Sequence, residues 1–298
     1  MAIIKRTIES TEQWKAWRGD LVGASDVGAI LGCHEYKTYF GLYQEKIGKL
    51  KTTQTKIMSD GLIMQEAALK TMQRDYPELK AFDPKAHYAD AELGVGATPD
   101  VQAEKDGEVG TIQIKWVDRD IFRKTWQVTP PLWIALQVTQ EAWLSGAKWA
   151  QICAFVQDHG NHLHFYDVEI RQDVIEMIKA EVKEFWRRVW EQDPPPPDYH
   201  RDAEVIRAVY PQDDGSEIDL TGDNEIPAML VDRRRLKDLA SESERDAKAI
   251  DSELLHKLGK AMIGRFNGGY VSAKTIHRAA HEVKASSYRM LRVVIKEQ

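Results

Sequence analysis

The stretch from Asp100 to Lys115 constrains the fold more than any other part of the sequence. An Asp-Gly pair, Asp106 and Gly107, stands there between two strand-like runs. Such a pair readily adopts the positive backbone angles of a tight hairpin turn, so it predicts two adjacent antiparallel strands. Alternate residues of a strand share a face. Gln113 and Lys115 are therefore predicted to point the same way, beside Asp100.

Strands and helices alternate on both sides of this hairpin. Apolar spacing predicts a helix before it and two helices and two strands after it. In chain order these elements are predicted over residues 59–75, 132–145, 149–157, 162–170 and 173–192. Together with a strand near residue 88, this order favours an α/β core in which a central mixed β-sheet is flanked by helices.

A run of four prolines, Pro194 to Pro197, follows the last of these helices. Four consecutive prolines cannot continue a helix. We therefore predict a core domain over residues 1–197 and a C-terminal helical region over residues 198–298. That region contains a heavily charged helix over about 228–263 and a short strand pair after Gly268.

Composition restricts the partners and the compartment. The chain has 47 acidic and 41 basic residues, a net charge of −6, whereas proteins that coat nucleic acid are usually strongly basic. If the chain handles DNA, its positive charge must be concentrated in a cleft or channel.

Two distant cysteines, Cys33 and Cys153, argue against a zinc or iron–sulfur site and favour a reducing cytoplasm. No apolar run approaches the ~20 residues that span a bilayer, so no membrane partner is expected.

The predicted hairpin carries residues suited to phosphodiester hydrolysis. The carboxylate of Asp100, the side chain at position 113 and the backbone carbonyl of Ile114 can offer oxygen ligands to Mg²⁺, with Mn²⁺ as a possible substitute. Lys115 on the same face can orient the attacking water and stabilise charge on the scissile phosphate. Short acid–lysine spacings also arise by chance in charged sequences, so this motif alone fits a solvated hairpin as well.

Five sequence blocks in a fixed order make the motif more specific. They resemble the phage lambda-type alkaline exonucleases, also called YqaJ-like viral recombinases, of the PD-(D/E)xK nuclease superfamily. The resemblance covers roughly residues 14 to 190. The blocks are Trp17-Arg18 with 23–26 and 30–32, then 61–66, GATPD ending at Asp100, IQIKW around Lys115, and the helix over 133–146 with Gln137 and Gln140.

The resemblance implies a core similar to that of restriction endonucleases, and it implies roles for individual residues. Asp100 would be the central metal ligand, Lys115 the catalytic lysine, and Ile114 a further ligand through its carbonyl. Glu66 would support a second metal ion or its water shell. Gln137 would face the site from the helix that follows.

The same resemblance implies a pocket for a 5′-terminal phosphate, formed by Arg18 and Ser25. A guanidinium gives two directed donors, and a serine at a helix start adds a hydroxyl beside free backbone N–H groups. The implied activity is a Mg²⁺-dependent exonuclease that degrades linear double-stranded DNA 5′ to 3′ and leaves 3′ single-stranded tails for recombination. The family also implies a ring-shaped homotrimer that threads DNA and a single-strand annealing recombinase as partner.

Position 113 departs from the family pattern, in which a glutamate stands there. Glutamine keeps the size but loses the charge, so we expect metal affinity to drop and turnover to fall by orders of magnitude. A naturally decayed nuclease and a deliberate Glu→Gln change that traps uncut DNA both fit. The other motif residues look intact, which favours an inactivated Glu→Gln form of an active enzyme.

Two other functions and the role of the C-terminal region stay open. The chain could be a catalytically silent protein that binds DNA ends, or an endonuclease on the same fold. Residues 198–298 could form an oligomer contact, line a DNA channel or dock a partner.

Overall fold

The computed structural model describes residues 2–51, 55–277, 289 and 290. The chain forms two compact units, Met1–Pro211 and Gln212–Gln298. Among the described residues, no helix is both long enough and apolar enough to cross a membrane.

The first unit extends past the proline run to Pro211. Asp202, beyond that run, is fully buried and accepts a hydrogen bond from the hydroxyl of Thr38. Arg201 donates to the backbone carbonyls of His34 and Glu35. These contacts fasten the segment after the prolines to the N-terminal part of the chain, so the prolines end a helix without ending the unit.

The first unit contains eight strands within the described ranges. They are β1 (Ile4–Thr7), β2 (Val22–Gly23), β3 (Ala86–Asp90), β4 (Val95–Ala97), β5 (Val101–Lys105), β6 (Glu108–Val117), β7 (Ala150–Gln157) and β8 (Asn161–Val168).

Helices surround these strands. They are α1 (Thr11–Gly19), α2 (Val27–Ile30), α3 (Tyr39–Lys46), α4 (Lys56–Asp75), α5 (Arg119–Ile121), α6 (Leu132–Ser145), α7 (Gln172–Glu191) and α8 (Ala203–Val209). Short 3₁₀ turns cover Ala24–Asp26 and Pro77–Leu79, and a π-helical turn covers Phe122–Trp126.

The strands pair into two four-stranded mixed sheets. One has the order β1-β3-β4-β2, with β2 and β4 parallel. The other has the order β5-β6-β7-β8, with β6 and β7 parallel and the outer pairs antiparallel. The predicted α/β architecture of a mixed sheet flanked by helices is confirmed. The strands near residue 88 do not extend the hairpin, because β3 and β4 pair with the N-terminal strands β1 and β2.

The hairpin of β5 and β6 forms as the turn residues predict. Asp106 and Gly107 both have positive φ angles, of 54° and 79°, which is the backbone conformation of a tight hairpin turn. The register pairs Val101 with Ile112. Asp100 therefore lies at the start of β5, next to the middle of β6.

Helices α4 and α6 cover the second sheet. Ile112 and Ile114 of β6 pack with Met72 of α4 in one apolar cluster. Since neighbouring strand residues point to opposite faces, Gln113 and Lys115 face away from that cluster.

Helix α6 packs against both sheets. Ile134 and Val138 belong to an apolar cluster with β7, whereas Leu136 and Leu144 belong to a cluster with β2 and β4. A helix with apolar residues on opposite faces is a buried helix. The helix ends at Gly146, whose φ of 72° is the left-handed conformation that terminates helices.

Gln140 of α6 ties β2 to β4. Its side-chain nitrogen donates to the carbonyls of Val22, at 3.1 Å, and Gly96, at 3.0 Å.

We expect Gln140→Leu to lower the free energy of unfolding by about 2 kcal/mol, because two buried carbonyls lose their donor. Urea denaturation measures this loss. Gln151→Leu on β7, whose amide bonds Asp167 at an exposed position, is the control and should change it by less than about 1 kcal/mol.

The second unit contains α9 (Glu225–Leu258) and a hairpin of β9 (Ile263–Phe266) and β10 (Gly269–Ser272). The charged helix was predicted from the sequence, but it ends at Gly259, which leaves residues 263–272 for the hairpin. The strand pair therefore starts earlier than predicted. The segment YRMLRV, which begins at Tyr288 and resembles the C-terminal ending of the same exonuclease family, lies largely outside the described residues.

Candidate active site

Asp100 lies at the centre of a polar cluster on the second sheet. One carboxylate oxygen accepts a hydrogen bond from the side-chain amide of Gln113 and another, of 3.0 Å, from the backbone N–H of Ile114. The side chain of Gln65 on α4 donates to the same carboxylate. Burial raises the pKa of Asp100 to about 6, although Lys115 nearby acts in the opposite direction.

Lys115 lies on the same side of β6 as Gln113, two residues away. Its Nζ donates to the side-chain oxygen of Gln137 at 2.9 Å and lies 5.1 Å from the centre of the Trp133 ring. Burial lowers the pKa of Lys115, while the carboxylates of Asp100 and Glu141 raise it. The structure thus brings Asp100, Gln113, Lys115 and Gln137 together, as the sequence predicted.

Glu141 is a buried acid beside this cluster that sequence reasoning missed. Its side chain is 1% exposed, and one carboxylate oxygen accepts a 2.9 Å hydrogen bond from the amide nitrogen of Gln137. Burial, followed by the charge of Asp100, raises the pKa of Glu141 well above its ordinary value. The sequence feature that could have identified Glu141 is its spacing from Gln137: the two residues are one helical turn apart on a helix that is otherwise largely apolar.

Glu66 lies outside the cluster, which corrects the role given to it from the sequence. Its side chain is 69% exposed and forms an ion pair with Lys70 at 2.7 Å. Successive residues of a helix differ by about 100° in direction, so Gln65 points to Asp100 while Glu66 points to solvent. Helix α4 therefore offers the site an uncharged amide where a carboxylate was expected.

Arg18 and Ser25 are brought together as predicted. The guanidinium of Arg18 donates to the hydroxyl of Ser25 at 3.1 Å and lies 4.6 Å from the ring centre of Trp14. Ser25 is in the 3₁₀ turn that leads into α2. Next to it, Asp26 is buried and pairs with Lys37 at 2.9 Å.

Two aromatic residues connect the segment after α2 with the lysine. The ring of His34 lies 4.4 Å from that of Trp133, the residue beneath Lys115. A Cβ added at Gly28 of α2 would come within 2.7 Å of the Trp133 Cβ, so α2 and α6 approach each other closely at this glycine. The polar cluster and the residues around Ser25 are therefore parts of one packed region.

Residues 13–148 match the family model of the YqaJ-like viral recombinase domain. This segment is similar to that family, and the match covers a little under half of the chain. The resemblance found in the sequence blocks is thereby confirmed over this segment, and the residues named in the cluster around Asp100 and Lys115 all lie within this YqaJ-like domain.

Individual proteins resemble the chain over longer ranges. The uncharacterized protein YqaJ of Bacillus subtilis (strain 168) is 25% identical over 276 residues, which cover 90% of this chain and 84% of that protein. LHK-Exo, an alkaline exonuclease from Laribacter hongkongensis, covers 66% of this chain and 99% of its own in two crystal structures. The structure in complex with dAMP has 17% identity and a TM-score of 0.49, and the other has 18% and 0.47.

The YqaJ-like domain offers oxygen donors for a divalent cation at Asp100. They are its carboxylate, the backbone carbonyl of Ile114 and the side-chain oxygen of Gln113. That glutamine oxygen is buried and finds no hydrogen-bond donor in the described part of the chain. Turning the amide by 180° would exchange its nitrogen for this oxygen beside Asp100, since the two ends of an amide have nearly the same shape.

This donor set suits Mg²⁺ or Mn²⁺, which prefer oxygen ligands, and Asp100 supplies its one carboxylate. Within the described ranges, no group of three or more His, Cys, Asp and Glu side chains is arranged to hold a metal ion. Glutamine at positions 65 and 113 accounts for the low charge.

Proposed function

We propose that this chain is a metal-dependent exonuclease that degrades linear double-stranded DNA 5′ to 3′ and leaves 3′ tails for recombination. The observation that carries the proposal is the cluster of Asp100, Gln113 and Lys115 within a domain of a lambda-exonuclease-like nuclease family. Glutamine at positions 65 and 113 reduces its activity relative to a fully acidic site.

Each residue of the cluster has a role that follows from its chemistry. Asp100, Gln113 and the carbonyl of Ile114 would hold the cation, Mg²⁺ or Mn²⁺. When bound, such a cation polarises the scissile phosphate and promotes attack by water. Lys115 stabilises the charge that develops on the phosphate oxygens. Gln137 holds the Lys115 ammonium in place through their 2.9 Å hydrogen bond.

Arg18 and Ser25 would bind the phosphate at the 5′ end. A phosphate could take over the 3.1 Å contact between them and accept hydrogen bonds from both side chains. This contact would set the starting point and the direction of degradation. By family resemblance, the proposal includes a ring-shaped homotrimer around the DNA and a single-strand annealing recombinase as partner.

A catalytically silent protein that binds DNA ends is the second candidate. The two glutamines at positions 65 and 113 favour it, because they leave Asp100 as the carboxylate nearest to the proposed cation. Such a protein would keep the end-binding contacts of Arg18 and Ser25 and lose turnover.

A digestion assay separates these functions. The chain is incubated with Mn²⁺ or Mg²⁺ and three duplexes: linear with 5′ phosphates, linear with 5′ hydroxyls, and closed circular. We expect linear DNA to be shortened from its 5′ ends, fastest with 5′ phosphates, while closed circles resist. Arg18→Ala should remove the preference for 5′ phosphate, and Arg207→Ala on the exposed face of α8 is the control.

The alternatives predict different products. Cut circles would indicate an endonuclease. Bound ends without shortened product, at any Mn²⁺ concentration tested, would indicate the silent end-binding protein and would overturn the proposed activity.

A further inference from the structure

We propose that Glu141 is a positioning residue that fixes the orientation of the Gln137 amide and, through it, the position of the Lys115 ammonium. This inference rests on the proposed function, in which Lys115 acts on the scissile phosphate. The family pattern read from the sequence gave Glu141 no role.

The first argument is a chain of two directed hydrogen bonds. Lys115 donates to the oxygen of the Gln137 amide, and the nitrogen of the same amide donates to Glu141, both at 2.9 Å. An ammonium group can only donate, so the Gln137 oxygen must face Lys115, and the Glu141 oxygen that faces the Gln137 nitrogen accepts. The amide therefore satisfies both neighbours in one of its two orientations, and Glu141 holds that orientation from the side opposite Lys115.

The second argument is the rigidity of the helix. Gln137 and Glu141 are four residues apart on α6, so their side chains meet on one face. Ile134 and Val138 anchor the helix in one apolar cluster, and Leu136 and Leu144 anchor it in another. The backbone that carries the pair is thus held from two sides, which makes the pair a fixed reference for Lys115.

The third argument is the cost of burying this acid. The side chain of Glu141 is 1% exposed, and its second carboxylate oxygen accepts no hydrogen bond in the described part of the structure. Burying an incompletely paired carboxyl group disfavours folding. An apolar side chain would pack there at less cost. The acid is therefore better explained by its effect on Gln137 and Lys115 than by stability.

The fourth argument is the charge of the site. Asp100 and Glu141 are the two carboxylates that act electrostatically on Lys115. Since positions 65 and 113 carry amides, Glu141 is the second acid available to attract the ammonium. The ammonium of Lys115 is thus attracted by Asp100, next to β5, and by Glu141 on α6.

The test observes Lys115 directly, by NMR of the side-chain ¹⁵Nζ in lysine-labelled protein, with Lys115→Arg used to assign the signal. In the parent we expect a Lys115 signal whose protons exchange slowly with water. Glu141→Gln keeps the shape of the side chain but can present an N–H group to the Gln137 nitrogen, so the Gln137 amide is held in place less firmly. We expect this variant to shift the signal and to raise its proton exchange rate at least tenfold.

Two further variants complete the test. Glu141→Asp keeps the acceptor but moves it away by one methylene, and it should give a smaller change in the Lys115 signal. The pair of Gln172 and Glu176 on α7 has the same residues, the same spacing and a 2.8 Å hydrogen bond, but it is exposed. Glu176→Gln is the matched control and should leave the Lys115 signal unchanged.

A Lys115 signal that is the same in the parent, Glu141→Gln and Glu141→Asp would overturn the proposal. If Glu141→Gln does not fold, the Glu141→Asp spectrum decides alone. These spectra need neither DNA nor metal, so they give an answer even if the chain degrades no DNA. Where degradation is measurable, Glu141→Gln should lower kcat about tenfold or more and leave the KM for DNA unchanged.

Discussion

The Gln113→Glu variant is expected to degrade linear duplex DNA at least about a hundredfold faster than the parent in Mg²⁺. The change places a second carboxylate beside Asp100, where the glutamine amide now donates a hydrogen bond. Positioning of a catalytic cation contributes several kcal/mol to such a reaction, and about 1.4 kcal/mol corresponds to a tenfold change in rate. Release of nucleotides from uniformly labelled DNA, followed over a Mg²⁺ titration, measures the gain.

Two controls accompany this variant. Gln172→Glu adds the same charge on the exposed face of α7 and should not change the rate. Adding Gln65→Glu to Gln113→Glu should raise the rate further and lower the Mg²⁺ concentration needed. A Gln113→Glu protein that is no faster than the parent at any Mg²⁺ concentration would show that Asp100 and position 113 do not form the cation site.

Lys115→Met, made in the Gln113→Glu background, is expected to lower the rate of degradation by about a thousandfold. Methionine has a similar length and suits a buried position, but it cannot stabilise charge on a phosphate. The single-turnover rate with saturating protein measures the loss without contributions from DNA binding.

Lys80→Met is the matched control for Lys115→Met. Lys80 is exposed and pairs with Glu104 at 2.8 Å on β5, one strand away from Lys115. Its loss should leave the single-turnover rate within about twofold of the background, since exposed ion pairs contribute little. Equal losses in the two variants would contradict a specific role for Lys115.

The parts of the fold that could be predicted from the sequence depend on local signals. Asp106 and Gly107 favour one kind of turn, and that turn fixes the pairing of β5 with β6 and hence the position of Asp100. The limits of α6 were predicted correctly because Pro131 precedes the helix and Gly146 follows it. Turn-forming and helix-terminating residues of this kind act on neighbours within a few positions, so they can be recognised without knowledge of the fold.

The sheet β1-β3-β4-β2 could not be predicted because its pairing is not local. Strand β1 (Ile4–Thr7) is short and mostly exposed, and it pairs with β3, about eighty residues later in the chain. Strand β2 has two residues. Strands this short carry too few alternating positions to be distinguished from loops.

The choice between Gln65 and Glu66 depends on the rotation of α4. A sequence block locates the helix, but a shift of one residue turns a side chain by about 100°. Glu66 was chosen over Gln65 because it is acidic, although Gln65 is the residue that faces Asp100. Glu141 was overlooked for a related reason. A glutamate in a helix is usually solvated, and its burial follows from the packing of α6 against two sheets.

That packing ties catalysis to the integrity of the whole first unit. Gln140 and Gln137 lie one turn apart on α6, the former bonded to β2 and β4 and the latter to Lys115 on β6. If the two sheets separate, even transiently, the amide that holds the lysine moves with the helix. Local opening would therefore separate these groups, and the population competent for the proposed reaction should follow the cooperative opening of this unit. Amide hydrogen exchange along α6 would measure that opening.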